Sequence, residues 1–249
     1  MTSTTSANPF RLIKAETERK DLETRREAKF VLHGMDVGRL RSLLDCQLRS
    51  QVHNEQVSTV RSVYYDDAGF SACHANLDGV GKRRKVRVRW YDSLEPGKSF
   101  FFEIKWRNNR ITGKHRWQIE ADVPLVDIPL RAAREHLQML LPEEHQAHAI
   151  GYADPIMLVE YKREHFVSLD KMYRFTIDYD LKFYDLFGRE NFSFHFPTSS
   201  EDFLVLEAKF PPGCDAGLSN LLYPFAPRVG SSSKYVQGCR MLGLVRETD

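Results

Sequence analysis

The run Lys85-Val86-Arg87-Val88-Arg89-Trp90 carries the plainest chemical signal in this sequence. In an extended strand successive side chains alternate between faces, so Lys85, Arg87 and Arg89 share one face while Val86, Val88 and Trp90 share the other. Such a face can hold an anion. Arginine offers forked donors that match phosphate oxygens, and lysine offers a compact charge. The same alternation sets Arg25, Glu27 and Lys29 opposite Arg26, Ala28 and Phe30, and Glu103 and Lys105 opposite Phe102, Ile104 and Trp106. It recurs as Lys114, Arg116, Gln118 and Glu120 against His115, Trp117 and Ile119, as Arg174, Thr176 and Asp178 against Phe175, Ile177 and Tyr179, and as Glu207 and Lys209 against Leu206, Ala208 and Phe210.

On any one strand, a charged face is ordinarily the solvated side of an antiparallel sheet. Solvated faces mix in more Ser, Thr and Gln than these do, and the pattern repeats along the chain. A sheet closed on itself removes its edges and gives all such faces a common lumen, in which Lys and Arg grip a polyanion. Acids alone would repel that ligand. Glu27, Glu103, Glu120, Asp178 and Glu207 therefore imply Mg²⁺ or Mn²⁺ between carboxylate and phosphate.

Two further strands are expected around residues 57–66 and 156–164. The second is ambiguous, because Glu160, Lys162 and Glu164 fall on one face and Tyr161 and Arg163 on the other. Helical spacing links Val37, Leu40, Leu44 and Leu48, then Leu130, Ala133, Leu137 and Leu140, and a C-terminal helix follows the N-cap signal Ser231-Ser232-Ser233. The expected fold class is α+β: a closed antiparallel β-barrel with helices packed on its apolar outside. Residues 1–22, Ser/Thr-rich and then charged, read as a flexible leader, and 23–249 as one domain.

Composition narrows the functional classes. Against 36 Lys and Arg stand 34 Asp and Glu, a net charge of +2, so global charge gives no reason to expect a nucleic-acid or membrane-surface binder. Cys46, Cys73, Cys214 and Cys239 form no C-x-x-C pair, which argues against a zinc knuckle or dense disulfides and for a reduced, cytoplasmic setting. No stretch approaches the ~20 apolar residues of a membrane span, and nothing near Met1 reads as a secretory signal. Membrane association would require a membrane-protein partner.

Other motifs carry less. Gly79-Val80-Gly81-Lys82 lacks the rest of a phosphate loop and reads as a turn into the basic strand. His145 and His148 lack a third ligand of evident spacing and read as surface histidines. Lys82-Arg83-Arg84-Lys85 beside Trp90 and Tyr91 is a weaker RNA-binding signal, since Trp90 falls on the face opposite Arg87 and Arg89.

Taken in order, these segments resemble the VTC (vacuolar transporter chaperone) catalytic domain, a polyphosphate-polymerase branch of the triphosphate tunnel metalloenzymes that also include the CYTH phosphatases. The resemblance covers roughly residues 24–243 and rests on Arg25-x-Glu27-x-Lys29-Phe30, Ser62-Val63-Tyr64-Tyr65-Asp66, Val86-Arg87-Val88-Arg89-Trp90-Tyr91, Phe102-Glu103-Ile104-Lys105, Lys114-x-Arg116, Glu160-Tyr161-x-Arg163-x-x-Phe166, Arg174-x-Thr176-Ile177-Asp178, Leu206-Glu207-x-Lys209 and Ser233-Lys234-Tyr235. It implies an eight-stranded tunnel. It also implies Arg87, Arg89, Lys105, Arg163 and Lys234 as catalytic cations, Lys29, Lys114, Arg116, Arg174 and Lys209 as phosphate contacts, and Glu207 as principal metal ligand with Glu27 and Glu103 behind it. Arg25, where many relatives carry Glu, favours the polymerase branch. The expected activity is transfer of the γ-phosphoryl of ATP to polyphosphate with Mn²⁺ or Mg²⁺; the alternatives are a triphosphatase of the CYTH type or a non-catalytic polyphosphate- or nucleotide-binding module.

Overall fold

The structure is a computed structural model that describes residues 8–14, 26–52, 55–109, 111–200, 203–223, 227–230 and 232–246. In chain order its elements are β1 (Phe10–Lys14), β2 (Arg26–His33), α1 (Val37–Asp45), β3 (Leu48–Ser50), β4 (Ser58–Asp66), α2 (Ser71–Leu77), β5 (Lys82–Tyr91), β6 (Ser99–Asn108), β7 (Ile111–Ala121), α3 (Leu130–Leu140), α4 (Glu143–Ala149), β8 (Asp154–Ser168), β9 (Arg174–Asp185), β10 (Thr198–Ser200), β11 (Phe203–Phe210), α5 (Asp215–Leu222) and α6 (Lys234–Met241). Two compact units divide the chain. One takes in Met1–Glu18, Ser62–Leu158 and Asp185–His195; the other takes in Arg19–Arg61, Val159–Tyr184 and Phe196–Asp249.

In the first unit the strand order is β1-β7-β6-β5-β4, and the β1–β7, β7–β6 and β6–β5 pairs are antiparallel. Val86, Val88, Phe102, Ile104 and Trp117 are buried on the apolar face, as their alternation requires. Fully burying each Val or Phe stabilises the fold by about 1.5–3 kcal/mol. That burial also fixes the register, because a one-residue slip would drive a strand's charged set into the core. Helix α3 closes over this face through Leu130, Ala133 and Leu137, and its buried Arg134 lies 5.8 Å from the Phe102 ring centroid. Arg134 Nε donates to Tyr152 O at 2.8 Å, Nη1 donates to Gln138, and Nη2 to Ala149 O. At the hairpin end, Trp106 lies so close over Gly113 that an added Cβ would meet its indole, so this position needs glycine.

In the second unit the order is β8-β9-β11-β2, with β10 on β9 and β3 on β8. Phe30, Leu32, Phe175, Ile177, Leu206 and Phe210 supply the sheet side of its core, and Leu40 and Leu44 of α1 with Leu218 and Leu222 of α5 supply the helical side. Asp36 caps α1 by accepting from Arg39 N at 2.9 Å, and Ser233 caps α6.

The α+β class and the three expected helices are present. Several expectations change. Phe10–Lys14, placed in the leader by the sequence, pair with β7, and Phe10 packs edge-on against Phe100 at 5.5 Å. Leu48, read as the last helical position, opens β3 instead, because α1 stops at Asp45. Among the described residues eleven strands join the hydrogen-bonded order where eight were expected, and no pairing joins its ends, β1 and β2. Arg25, Ser231 and most of the proposed leader lie outside the described residues.

Candidate anion-binding site

Register places the charged residues of the first unit in rows across three strands. Lys85 stands opposite Lys105, which stands opposite Lys114; in the next row Arg87 faces Glu103 and Glu103 faces Arg116; in the third Arg89 faces Phe101 and Phe101 faces Gln118. Successive rows are two residues apart, roughly 7 Å along a strand. Glu103 is the pivot, fully buried at 0% exposure. Arg87 Nε donates to its Oε2 at 2.7 Å, Arg89 Nη1 lies 3.9 Å from Oε2, and Lys114 Nζ lies 3.4 Å from Oε1. Arg116 Nε is 3.3 Å from Oε1, an ion pair without hydrogen-bond alignment.

Four cations therefore share one carboxylate, and the cluster keeps a surplus of positive charge. Burial alone would raise the Glu103 pKa, but Arg87, Arg89, Lys114 and Arg116 overcome it and hold the carboxyl well below its usual range. Lys114 responds in the opposite sense. Burial first, and then the repulsion of the three arginines, outweigh Glu103 and lower its pKa to about 8.

The arginines are also held from the side. Arg87 Nη1 donates to the Tyr64 hydroxyl at 2.9 Å, Arg89 Nε to Ser62 Oγ at 2.9 Å, and Arg116 Nη2 to the Tyr91 hydroxyl at 3.2 Å. Ser62 and Tyr64 stand in a segment that carries the resemblance, but neither was expected to be a site residue. Their spacing of two on β4 was the available signal, but only the neighbouring strand shows what they hold. Asp66 continues that face and caps α2, accepting from Ala72 N at 3.0 Å and Cys73 N at 3.2 Å.

In the second unit Asp178 has the corresponding part. Fully buried, it takes both arms of Arg163, with Nε at 2.6 Å from Oδ1 and Nη2 at 2.7 Å from Oδ2, and Lys234 Nζ at 2.5 Å from Oδ2. Arg163 and Lys234 both lie over the Tyr161 ring, at 5.2 and 4.6 Å from its centroid. Burial alone would raise the Asp178 pKa, yet Arg163 and Lys234 hold it below the ordinary carboxylate range. On the neighbouring strands Glu207 stands opposite Lys29, and Lys209 opposite Glu27. Lys29 Nζ lies 3.0 Å from Glu27 and 3.7 Å from Glu207, and Lys209 Nζ lies 2.6 Å from Glu207. Against burial, which lowers it, Glu207 and Glu27 raise the Lys29 pKa above its ordinary value.

This geometry resolves the ambiguity of β8. Arg163 turns to Asp178, whereas Glu164 turns to Arg41 at 2.5 Å and the Tyr179 hydroxyl at 2.7 Å, and Glu160 to Arg61 and Lys182. Arg174 is exposed near the start of β9, and Glu120 pairs with Arg11, away from the Glu103 cluster. His145 is buried rather than at the surface, its ring 4.4 Å from that of His115 and 5.3 Å from that of Trp117.

A family model described as the VTC domain matches residues 24–243. The chain belongs to the VTC domain family. Among solved structures, the PH1819 protein of Pyrococcus horikoshii OT3 aligns over 87% of this chain and 98% of its own, at 10% identity and a TM-score of 0.46. HpAC1 of Hippeastrum, for which a dominant triphosphatase activity is described, aligns over 86% and 96%, at 14% identity and a TM-score of 0.45. No curated protein matches.

In this VTC domain the carboxylates differ in their fitness for a divalent cation. Glu27 and Glu207 both reach Lys29, and as hard oxygen donors on adjacent strands they suit Mg²⁺ or Mn²⁺. Among the described residues no group of three or more His, Cys, Asp or Glu is arranged to hold a metal. Mg²⁺ commonly takes one or two carboxylates and completes its shell with water and substrate phosphate. Glu103, expected from the sequence as a weaker metal candidate, has its oxygens engaged by four cations that would repel a metal ion.

Proposed function

We propose that this VTC domain is a metal-dependent polyphosphate polymerase that transfers the γ-phosphoryl of ATP to a polyphosphate chain. The observation that supports this reading most is the clasp of Arg87, Arg89, Lys114 and Arg116 on the buried Glu103. One carboxylate holds four cations in place and leaves most of their charge for a ligand. A polyanion with no fixed stereochemistry is the natural complement of such rows, because Arg and Lys bind phosphate oxygens without reading a base. The closed tunnel expected from the sequence belongs to the same proposal, as do a cytoplasmic location and ATP, triphosphate and polyphosphate as ligands.

In the reaction a terminal oxygen of the acceptor chain forms a bond to Pγ while the bond from Pγ to the ADP leaving oxygen breaks. Phosphoryl transfer of this kind needs positioning and charge neutralisation more than a protein nucleophile. Arg87 and Arg89 orient the phosphates from fixed positions, since Tyr64 and Ser62 hold their guanidinium groups. Lys105 and Lys114 supply charge in the adjacent row. Arg163 and Lys234, steered by Asp178 and Tyr161, do the same in the second unit. Glu207, with Glu27, would hold Mg²⁺ or Mn²⁺, which when bound would neutralise phosphate charge.

The test is incubation of the purified protein with ATP labelled at the γ-phosphate and Mn²⁺ or Mg²⁺, followed by separation of polymer from free phosphate. Label in long-chain polyphosphate is expected. Label in free phosphate would replace the polymerase by a hydrolase, in which water is the acceptor. Intact ATP together with measurable polyphosphate binding would leave a binding module.

A further inference from the structure

One end of the cation rows in the first unit is aromatic. Phe101 stands on the same face of β6 as Glu103 and Lys105, in a position where a strand that bound only phosphate would be served by another cation. The Arg116 guanidinium carbon lies directly over its ring, 3.7 Å from the centroid. The same arginine donates to the Tyr91 hydroxyl at 3.2 Å, and the Tyr91 and Phe101 rings meet edge to face at 6.0 Å. Gln118, opposite Phe101 in the same row, adds amide donors and acceptors. Tyr91, Phe101 and Gln118 are each half-buried, and the Arg116 side chain keeps 27% of its surface exposed.

We propose that Tyr91, Phe101, Arg116 and Gln118 form a nucleobase platform, on which the base of a nucleoside triphosphate stacks while its phosphates run toward the Lys85, Lys105 and Lys114 row. The inference rests on the phosphate-binding reading above and adds to it where the base goes. From the Phe101 row to the Lys105 row is four residues of strand, roughly 13 Å. A planar guanidinium already fixed over an aromatic ring offers its outer face to a second π-system, so base, arginine and ring form a continuous stack. Gln118 can meet a base edge from the side. The platform distinguishes a nucleotide from bare polyphosphate, which has nothing to stack. It therefore separates the donor from the acceptor of the transfer.

The test compares equilibrium affinities of ATP and inorganic tripolyphosphate, each with Mg²⁺, in the wild type and in Phe101→Leu and Phe101→Trp. Stacking predicts that Phe101→Leu weakens ATP binding about fivefold or more, leaves tripolyphosphate binding unchanged, and that Phe101→Trp retains ATP. The tripolyphosphate affinity of each variant serves as its own check on folding. Equal losses for both ligands would show that the ring only props Arg116, and no loss for either would place the base elsewhere; both outcomes overturn the platform. A wild type that binds tripolyphosphate but not ATP also overturns it and leaves the phosphate rows standing. A wild type that binds neither ligand overturns both readings.

Discussion

Arg87 and Glu103 face each other across β5 and β6, with Arg87 Nη2 2.5 Å from Glu103 Oε2 and both side chains buried. The pair is the innermost part of a cluster in which Arg89, Lys114 and Arg116 depend on the same carboxylate. Glu103→Gln should therefore leave four cations facing one another with no counter-charge. Removing one partner of a buried pair costs about 3–5 kcal/mol, and urea unfolding at neutral pH should register a loss of that order. Tripolyphosphate should restore part of it by returning negative charge. A variant as stable as the wild type, and indifferent to tripolyphosphate, would show that Glu103 does not hold the cluster together.

Lys114 makes ligand binding depend on pH above neutrality. With its pKa lowered to about 8, it is cationic below that pH and neutral above. Tripolyphosphate affinity should therefore fall as pH rises from 7 to 9, with a midpoint at or above 8, since a bound anion favours the protonated form. Lys114→Gln should bind more weakly at pH 7 and lose the step. Calorimetric titration across this range distinguishes the two proteins, and a step that survives in the variant would assign it to another group.

The basic face of β5 was legible because its strand alternates Lys, Arg and Arg with Val, Val and Trp, and period two needs no partner to be read. The same holds for α3, whose Leu130, Ala133 and Leu137 are all buried. Cross-strand relations were not legible. Nothing in either segment alone tells that Arg87 stands opposite Glu103 rather than a residue two places away, because that register comes from the hairpin and from burial of the opposite face. Ser62 and Tyr64, quoted within the segment Ser62–Asp66, were given no role for a related reason: a hydroxyl that steadies an arginine looks like any other strand residue until the arginine is beside it. In β8 both faces carry charge, so alternation could not say which one joins the Asp178 cluster. Phe10–Lys14 is too short and too mixed to show as a strand without β7.

Asp178 should make the second unit sensitive to acid. Its folded pKa is held below the ordinary value, so the stability it contributes is fully present above the unfolded carboxyl range near 4 and is lost as pH falls through that range toward the folded value. Lowering the pH from 6 to 3 should reduce wild-type stability more steeply than that of Asp178→Asn, whose amide does not titrate. The variant should be the less stable protein at pH 7, where Arg163 and Lys234 lose their counter-charge. Denaturation midpoints measured at several pH values give the comparison, and parallel curves would remove Asp178 from the acid response.

Glu207 tests the metal role most directly. It sits between Lys29 and Lys209, and it is 7% exposed. In Glu207→Gln the side chain keeps its size, Lys29 keeps Glu27, and both lysines reach solvent, so the fold should persist with a thermal transition close to wild type. The hard anionic donor is gone, however, and an amide is a poor ligand for Mg²⁺. Metal-dependent turnover of ATP should fall by about a hundredfold or more, consistent with the several kcal/mol that a bound cation supplies to phosphoryl transfer. Metal-free binding of tripolyphosphate should be kept or improved, since a carboxylate that repels phosphate has been neutralised. Turnover that stays at the wild-type level in a folded variant would move the metal away from Glu207, whereas loss of turnover together with loss of tripolyphosphate binding would make Glu207 an anchor for the lysines rather than a metal ligand.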